Sequence, residues 1–163
     1  MKSEKAKKVL IALDYNPTAR KVAEEGYSVA KAMDAEIVLL HVISDPVYYS
    51  SLDYSPIMGF NGFSETGYLQ LENIKSLRKT ARQFLEKSRK HLDDNKIKTV
   101  VEEGDLAEMI LKTAETLKSD IIIMGSHSQK WLENIIMGSV TEKVIRHSKI
   151  PLFIIPTKKT ELN

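Results

Sequence analysis

The residues best placed to do chemistry are two glycine-bearing segments late in the chain, Gly125-Ser-His-Ser128 and Gly138-Ser-Val-Thr141. The first follows Asp120-Ile-Ile-Ile-Met124, an apolar run that reads as a buried strand, and the second opens a stretch with helical spacing. Glycine lets a backbone approach a ligand closely, and a helix start offers unpaired N–H groups at the positive end of a dipole. Together they would make a phosphate cradle. The same residues also have a purely structural use. Ser139-x-x-Glu142 has the spacing of a capping box, and a glycine after a strand is often only a turn. Residue types alone leave both readings open.

Asp14 is the other candidate. It ends the apolar run Val9-Leu-Ile-Ala-Leu13, where its carboxylate would either meet a ligand or cap the following helix. Asn16-Pro17 is already placed for capping, with Pro17 at the first helical position, which favours a ligand role for Asp14. His127 reads as a loop residue within reach of a ligand rather than an acid–base catalyst. His41 falls inside a strand pattern as a core or pocket-rim histidine. His91 and His147 fall near helix C-termini, where the dipole favours them.

Other chemistries find little support. The chain has no Gly-x4-Gly-Lys-Ser/Thr loop, no Gly-x-Gly-x-x-Gly and no Gly-x-Ser-x-Gly elbow, and its four histidines have no metal-ligand spacing. Lys75, Arg78, Lys79, Arg82, Lys87, Arg89 and Lys90 give one helix a basic face. Without interleaved aromatics that face is a solvated one, so nucleic acid is not expected as a partner.

The elements that must position these residues follow from periodicity. Strands are expected at 9–13, 36–43, 98–102, 120–124 and 152–155, and helices at 18–33, 67–94, 106–117 and 138–147. Asp105-x-x-Glu108 caps the third of those helices. Strand and helix alternate, the signature of a parallel sheet covered on both faces. Two strand orders fit, 2-1-3-4-5 and 3-2-1-4-5. Only the second brings Asp14 and Gly125 to one crevice beyond the carboxyl ends of neighbouring strands.

At this point the chain resembles the universal stress protein family over nearly all of its length. The nucleotide-binding branch of that family carries Gly-x2-Gly-x9-Gly followed by Ser or Thr; here the row reads Gly125-x2-Ser128-x9-Gly138-Ser139. Val9-Leu-Ile-Ala-Leu-Asp14, His41-Val42 and Gly138-Ser-Val-Thr-Glu142 are similar to the family as well. The resemblance implies a five-stranded parallel sheet of order 3-2-1-4-5 with helices on both faces, Rossmann-like and adenine nucleotide alpha hydrolase-like. It also implies a homodimer and bound ATP or another adenine nucleotide. Carried over, Asp14 would hold adenine or ribose, Val42 the base, and Met124, Gly125 and His127 the ribose and phosphate side. Gly138, Ser139, Val140 and Thr141 would supply N–H and hydroxyl groups to the phosphates, with Mg2+ as a bridging ion. Ser128 departs from the pattern, standing where the branch has its second glycine, and it bears on the triphosphate more than on the adenosine.

Composition sets the frame. At 163 residues, with 42% apolar and 28% charged residues, the chain is expected to form one soluble domain spanning 1–163. A net charge of +2 is too small to argue for nucleic acid or an anionic membrane. No cysteine, no membrane-length apolar run and an N-terminus without a signal-peptide core lead us to expect the cytoplasm. The segment 44–65 holds Tyr48, Tyr49, Tyr54, Phe60 and Phe63, too aromatic for ordinary disorder, and reads as a lid or partner surface. The apolar run Leu152-Phe-Ile-Ile155 between Pro151 and Pro156 would be an edge strand and the dimer contact. The expected function is an adenine-nucleotide-binding stress dimer without catalysis of its own. A slow ATPase and a dimer that binds no nucleotide are the rivals.

Overall fold

The computed structural model describes residues 7–44, 74–126 and 138–157. Five strands lie in it: β1 (Lys8–Ala12), β2 (Glu36–Ile43), β3 (Lys98–Glu103), β4 (Ile121–Gly125) and β5 (Leu152–Ile155). They form one sheet of order β3-β2-β1-β4-β5, every neighbouring pair parallel. Among the described residues four helices alternate with them: α1 (Ala19–Ala32), α2 (Ile74–Leu92), α3 (Leu106–Thr116) and α4 (Ser139–His147). Of the two strand orders the sequence allowed, the one that sets β1 beside β4 is observed. The segment 45–65, the helical turns expected at 67–73 and the site candidates His127 and Ser128 lie outside the described residues.

The apolar runs are strands because both faces of the sheet are covered. Val9, Ile11, Leu39 and Ile123 pack with Val22, Ala23 and Ala30 of α1 and Leu77, Ala81, Phe84 and Leu85 of α2. On the other face Leu10, Val38, Leu40, Val42, Ile122 and Met124 pack with Ala107, Ile110 and Ala114 of α3 and Val144 of α4. Consecutive residues of β1 thus serve different faces, and neither can be polar. Each such side chain contributes roughly 1.5–3 kcal/mol by leaving water. Gly26 lets α1 lie close on the sheet, since a Cβ there would stand 3.0 Å from Ile11 Cδ1.

Helix boundaries depart from the periodicity in instructive places. α1 starts at Ala19 with Thr18 as N-cap, not at Pro17 behind Asn16. Asn16 Oδ1 instead accepts from the Thr18 N–H and hydroxyl, at 3.0 and 2.8 Å, closing the turn before the helix. Asp105 caps α3 as its spacing implied, accepting from Glu108 N at 2.9 Å. That bond, reinforced by Lys143 of α4 at 3.1 Å, holds its carboxyl below the ordinary range. α1 and α3 both end in a left-handed residue that is not glycine, Asp34 (φ 52°) and Lys118 (φ 54°). The carbonyls of Ala30 and Ala114 are then capped by Ala35 N and Ser119 N.

Candidate functional site

The site is assembled where β1 and β4 end. Their register, Val9↔Ile121 to Ile11↔Ile123, brings the residues that follow, Asp14 on one strand and Met124-Gly125 on the other, to the same edge of the sheet. β2 ends beside them, with Ala12 opposite Leu40 and Leu13 N donating to Leu40 O at 2.8 Å. Val42 and Met124 are buried in the cluster on the α3/α4 face, and Val140 packs against it from the first turn of α4. Leu13 and Tyr15 both belong to the opposite cluster, leaving the half-buried Asp14 between them. Asp14 Oδ1 accepts from Asn16 N at 3.0 Å. That local turn, rather than a helix cap, is the structural use of Asp14, and the sequence did not reveal it.

The two glycine-bearing segments meet. Gly138 N donates to Ser126 O at 3.2 Å, joining the start of α4 to the end of β4. Thr141 Oγ1 donates to Gly125 O at 3.0 Å across the same junction, from a side chain that is 2% exposed. Ser126 is tied in turn to the last strand: its N–H donates to Ile155 O, and its Oγ accepts from Thr157 N. Gly138, not Ser139, is the N-cap of α4, with φ −72° and ψ 159°, so the capping box centred on Ser139 does not form. Ser139 is the first helical residue and is exposed. The backbone does not require glycine at 125 or 138, because Gly104 is the one glycine with positive φ among the described residues. What glycine provides at the buried position 138 is the absence of a side chain.

The helix start carries the electrostatics. The first intrahelical bond runs from Glu142 N to Gly138 O, so the N–H groups of Ser139, Val140 and Thr141 lie ahead of it with no acceptor among the described residues. Glu142 in this turn is paired with Arg146 at 2.6 Å, which limits how far its charge offsets the positive end of the helix. An anion with several oxygens fits such a donor set. A divalent cation would have to be carried by that anion and by Ser139. Among the described residues, no three histidine, aspartate or glutamate side chains come together as a metal site.

The proton of the Thr141 hydroxyl is used within the protein, donated to Gly125 O. His41 is buried, 2% exposed, on the α1/α2 side between Tyr15 and Phe84, with ring centroids at 4.2 and 5.6 Å. Burial pushes its pKa down, opposed by the bond to Leu13 O and by the charge of Asp14. His91 is not an isolated surface histidine; its Nε2 meets Glu24 of α1 at 2.6 Å. His147 is exposed at the end of α4, as its position suggested.

Comparison with known proteins bears on the family and the fold. The model of the universal stress protein family matches residues 5–156. Universal stress protein MJ0577 of Methanocaldococcus jannaschii is 34% identical over 158 residues, covering 94% of this chain and 97% of that protein. A solved structure of MJ0577 superposes with a TM-score of 0.68 at 32% identity, covering 94% of this chain and 98% of that one. A universal stress protein solved in complex with cAMP superposes with a TM-score of 0.58, covering 94% of this chain and 100% of that one. At 17% identity the last likeness is one of fold.

Proposed function

The chain belongs to the universal stress protein family, and we propose that it is a dimeric, cytoplasmic binding module for an adenine nucleotide. The observation that carries this reading is the junction of β4 and α4. There the N–H groups of Ser139, Val140 and Thr141 at a helix start have no acceptor among the described residues, beside a glycine that no backbone angle demands. Phosphates would be taken by Ser139, Val140 and Thr141 N–H and the Ser139 hydroxyl. Adenosine would lie over the ends of β1 and β2, against Asp14, Val42 and Met124. His127 and Ser128 would border the phosphates. An adenine nucleotide is the ligand class and ATP with Mg2+ the specific ligand we propose; a protein of the same fold has been solved in complex with cAMP.

Dimerisation is proposed through β5. Its partner β4 lies on one side only, and Phe153 is 43% exposed. The opposite edge, β3, carries Lys98, Glu102 and Glu103, which discourage pairing, whereas Leu152–Ile155 carries no charge. Self-pairing of one short strand between Pro151 and Pro156 closes a two-fold dimer without open growth. No helix among the described residues is long and apolar enough to cross a membrane.

Calorimetric titration of the protein, stripped of bound small molecules, with ATP, ADP, AMP and cAMP tests the reading. Saturable binding by at least one of them, weakened roughly tenfold to a hundredfold in Asp14→Ala by loss of a charge-assisted hydrogen bond, is the expected result. No heat with any nucleotide would overturn it. We propose no catalysis: among the described residues the phosphate site offers N–H and hydroxyl groups, and phosphoryl transfer needs positioned cations and an oriented water as well. Sustained phosphate release from ATP would contradict that part.

A further inference from the structure

We propose that His41 is a positioning residue of the nucleotide site, acting from the opposite face of the sheet by holding the Leu13 carbonyl and thereby the turn that presents Asp14. The proposal rests on the nucleotide-binding reading and adds to it a residue that touches no ligand.

The geometry is specific. His41 Nδ1 lies 2.8 Å from Leu13 O. A carbonyl oxygen only accepts, so Nδ1 carries the proton and Nε2 is left as an acceptor. Nε2 is buried and finds no hydrogen-bond partner among the described residues. A histidine kept for packing alone would be a poor choice, since a leucine or phenylalanine would fill the space without burying an unpaired nitrogen. The donor to Leu13 is what this side chain supplies and an apolar one could not.

Leu13 lies one residue beyond β1 and is fixed on both sides. Its N–H goes to Leu40 O and its C=O to His41, both at 2.8 Å. The peptide groups on either side of Leu13 are therefore each held by one bond, the one leading to Asp14 by His41. Tyr15, on the far side of Asp14, is held by the same ring, which it meets at 4.2 Å while packing edge-on against Phe84 at 5.1 Å. Asp14 is thus flanked by two residues that both bear on His41. Its own Oδ1 completes the turn through Asn16 N.

The test compares two substitutions that separate the ring from its donor. His41→Phe keeps an aromatic between Tyr15 and Phe84 but removes the proton. His41→Asn keeps an N–H donor close to the Nδ1 position and removes the ring. Binding of ATP by each full-length variant is measured by calorimetry, with thermal unfolding of the nucleotide-free protein alongside. Expected are a folded His41→Phe variant that binds roughly tenfold or more weakly, and a His41→Asn variant that is less heat-stable yet retains most of the affinity. A role in packing alone predicts the reverse order and would overturn the proposal. Nitrogen-15 NMR of the parent imidazole must show the proton on Nδ1; the other tautomer overturns it too. A parent that binds no adenine nucleotide overturns the functional reading and this role with it. A parent that binds, with His41→Phe binding equally well, overturns the His41 role alone.

Discussion

Replacing Thr141 by valine removes one hydroxyl and changes almost no volume. The side chain is 2% exposed and its Oγ1 is the donor that Gly125 O meets at 3.0 Å. A neutral hydrogen bond contributes roughly 0.5–1.5 kcal/mol net, and an acceptor left buried without its donor raises the loss toward 1–3 kcal/mol. A carbonyl has two lone pairs and tolerates under-satisfaction better than an N–H, so the lower half of that range applies, about 1–2 kcal/mol. Urea unfolding of the nucleotide-free protein reads this as a lower midpoint at unchanged slope. Because the bond ties the start of α4 to the end of β4, ATP affinity should fall as well, while Thr141→Ser retains both the bond and the binding. The alternative, a hydroxyl used directly on phosphate, makes a different forecast: affinity falls but nucleotide-free stability is untouched. An unchanged urea midpoint in Thr141→Val would therefore refute the positioning argument.

Three further outcomes are expected. Burial lowers the His41 pKa below its ordinary value of 6.5. The unfolded chain therefore binds a proton that the folded one refuses as pH falls through that value. Stability is then fully present above about pH 6.5 and declines below it, with a slope of up to about 1.4 kcal/mol per pH unit, until the folded pKa is reached. Among the described residues the Asp14 charge and the Tyr15 ring bear on the imidazole, and His41→Asn should flatten this part of the profile. Lys118→Gly should raise stability by about 0.5–1 kcal/mol in the same denaturation assay, because φ 54° strains a residue with a Cβ and Ser119 N already caps α3. Phe153→Lys should shift the protein to monomer in light scattering at micromolar concentration; unchanged assembly would rule out β5 as the contact.

The strands were legible because a parallel sheet covered on both faces leaves no polar alternation to misread. β5 was bounded correctly, since Pro151 and Pro156 stand just outside it. Strand order was legible only in part: periodicity allowed two, and the choice came from resemblance. Helix starts were read one or two residues off where a residue type has two uses. Asn16 is as good at closing a turn as at capping, and Gly138 took the capping position that the Ser139-x-x-Glu142 spacing suggested for Ser139. Helix ends at Asp34, Asp93 and Lys118 carried no glycine to announce them. The contacts that matter most to the site were not readable at all. Thr141 meets a carbonyl sixteen residues earlier and His41 one twenty-eight residues earlier. Both depend on register, which no local pattern encodes.

Those two contacts share a logic, since each orders backbone at or just beyond the end of a strand. Each strand end at the site projects one residue beyond its ladder, Leu13 after β1 and Ser126 after β4. Backbone left there without partners would be free to move, and a ligand would have to order it at an entropic cost. Here the ordering is supplied beforehand: Leu13 by Leu40 and His41, Ser126 by Ile155, Thr157 and Gly138. The bonds that do this come from the flanking strands and from the start of α4, and the N–H groups of Ser139 to Thr141 have no acceptor among the described residues. The Ser126 bonds also reach Ile155 and Thr157, at the end of the exposed edge strand. Whatever orders the start of α4 therefore acts on the same few residues that fix the end of β5. The proposed phosphate site and the proposed dimer edge are separated by two hydrogen bonds, not by the width of the domain.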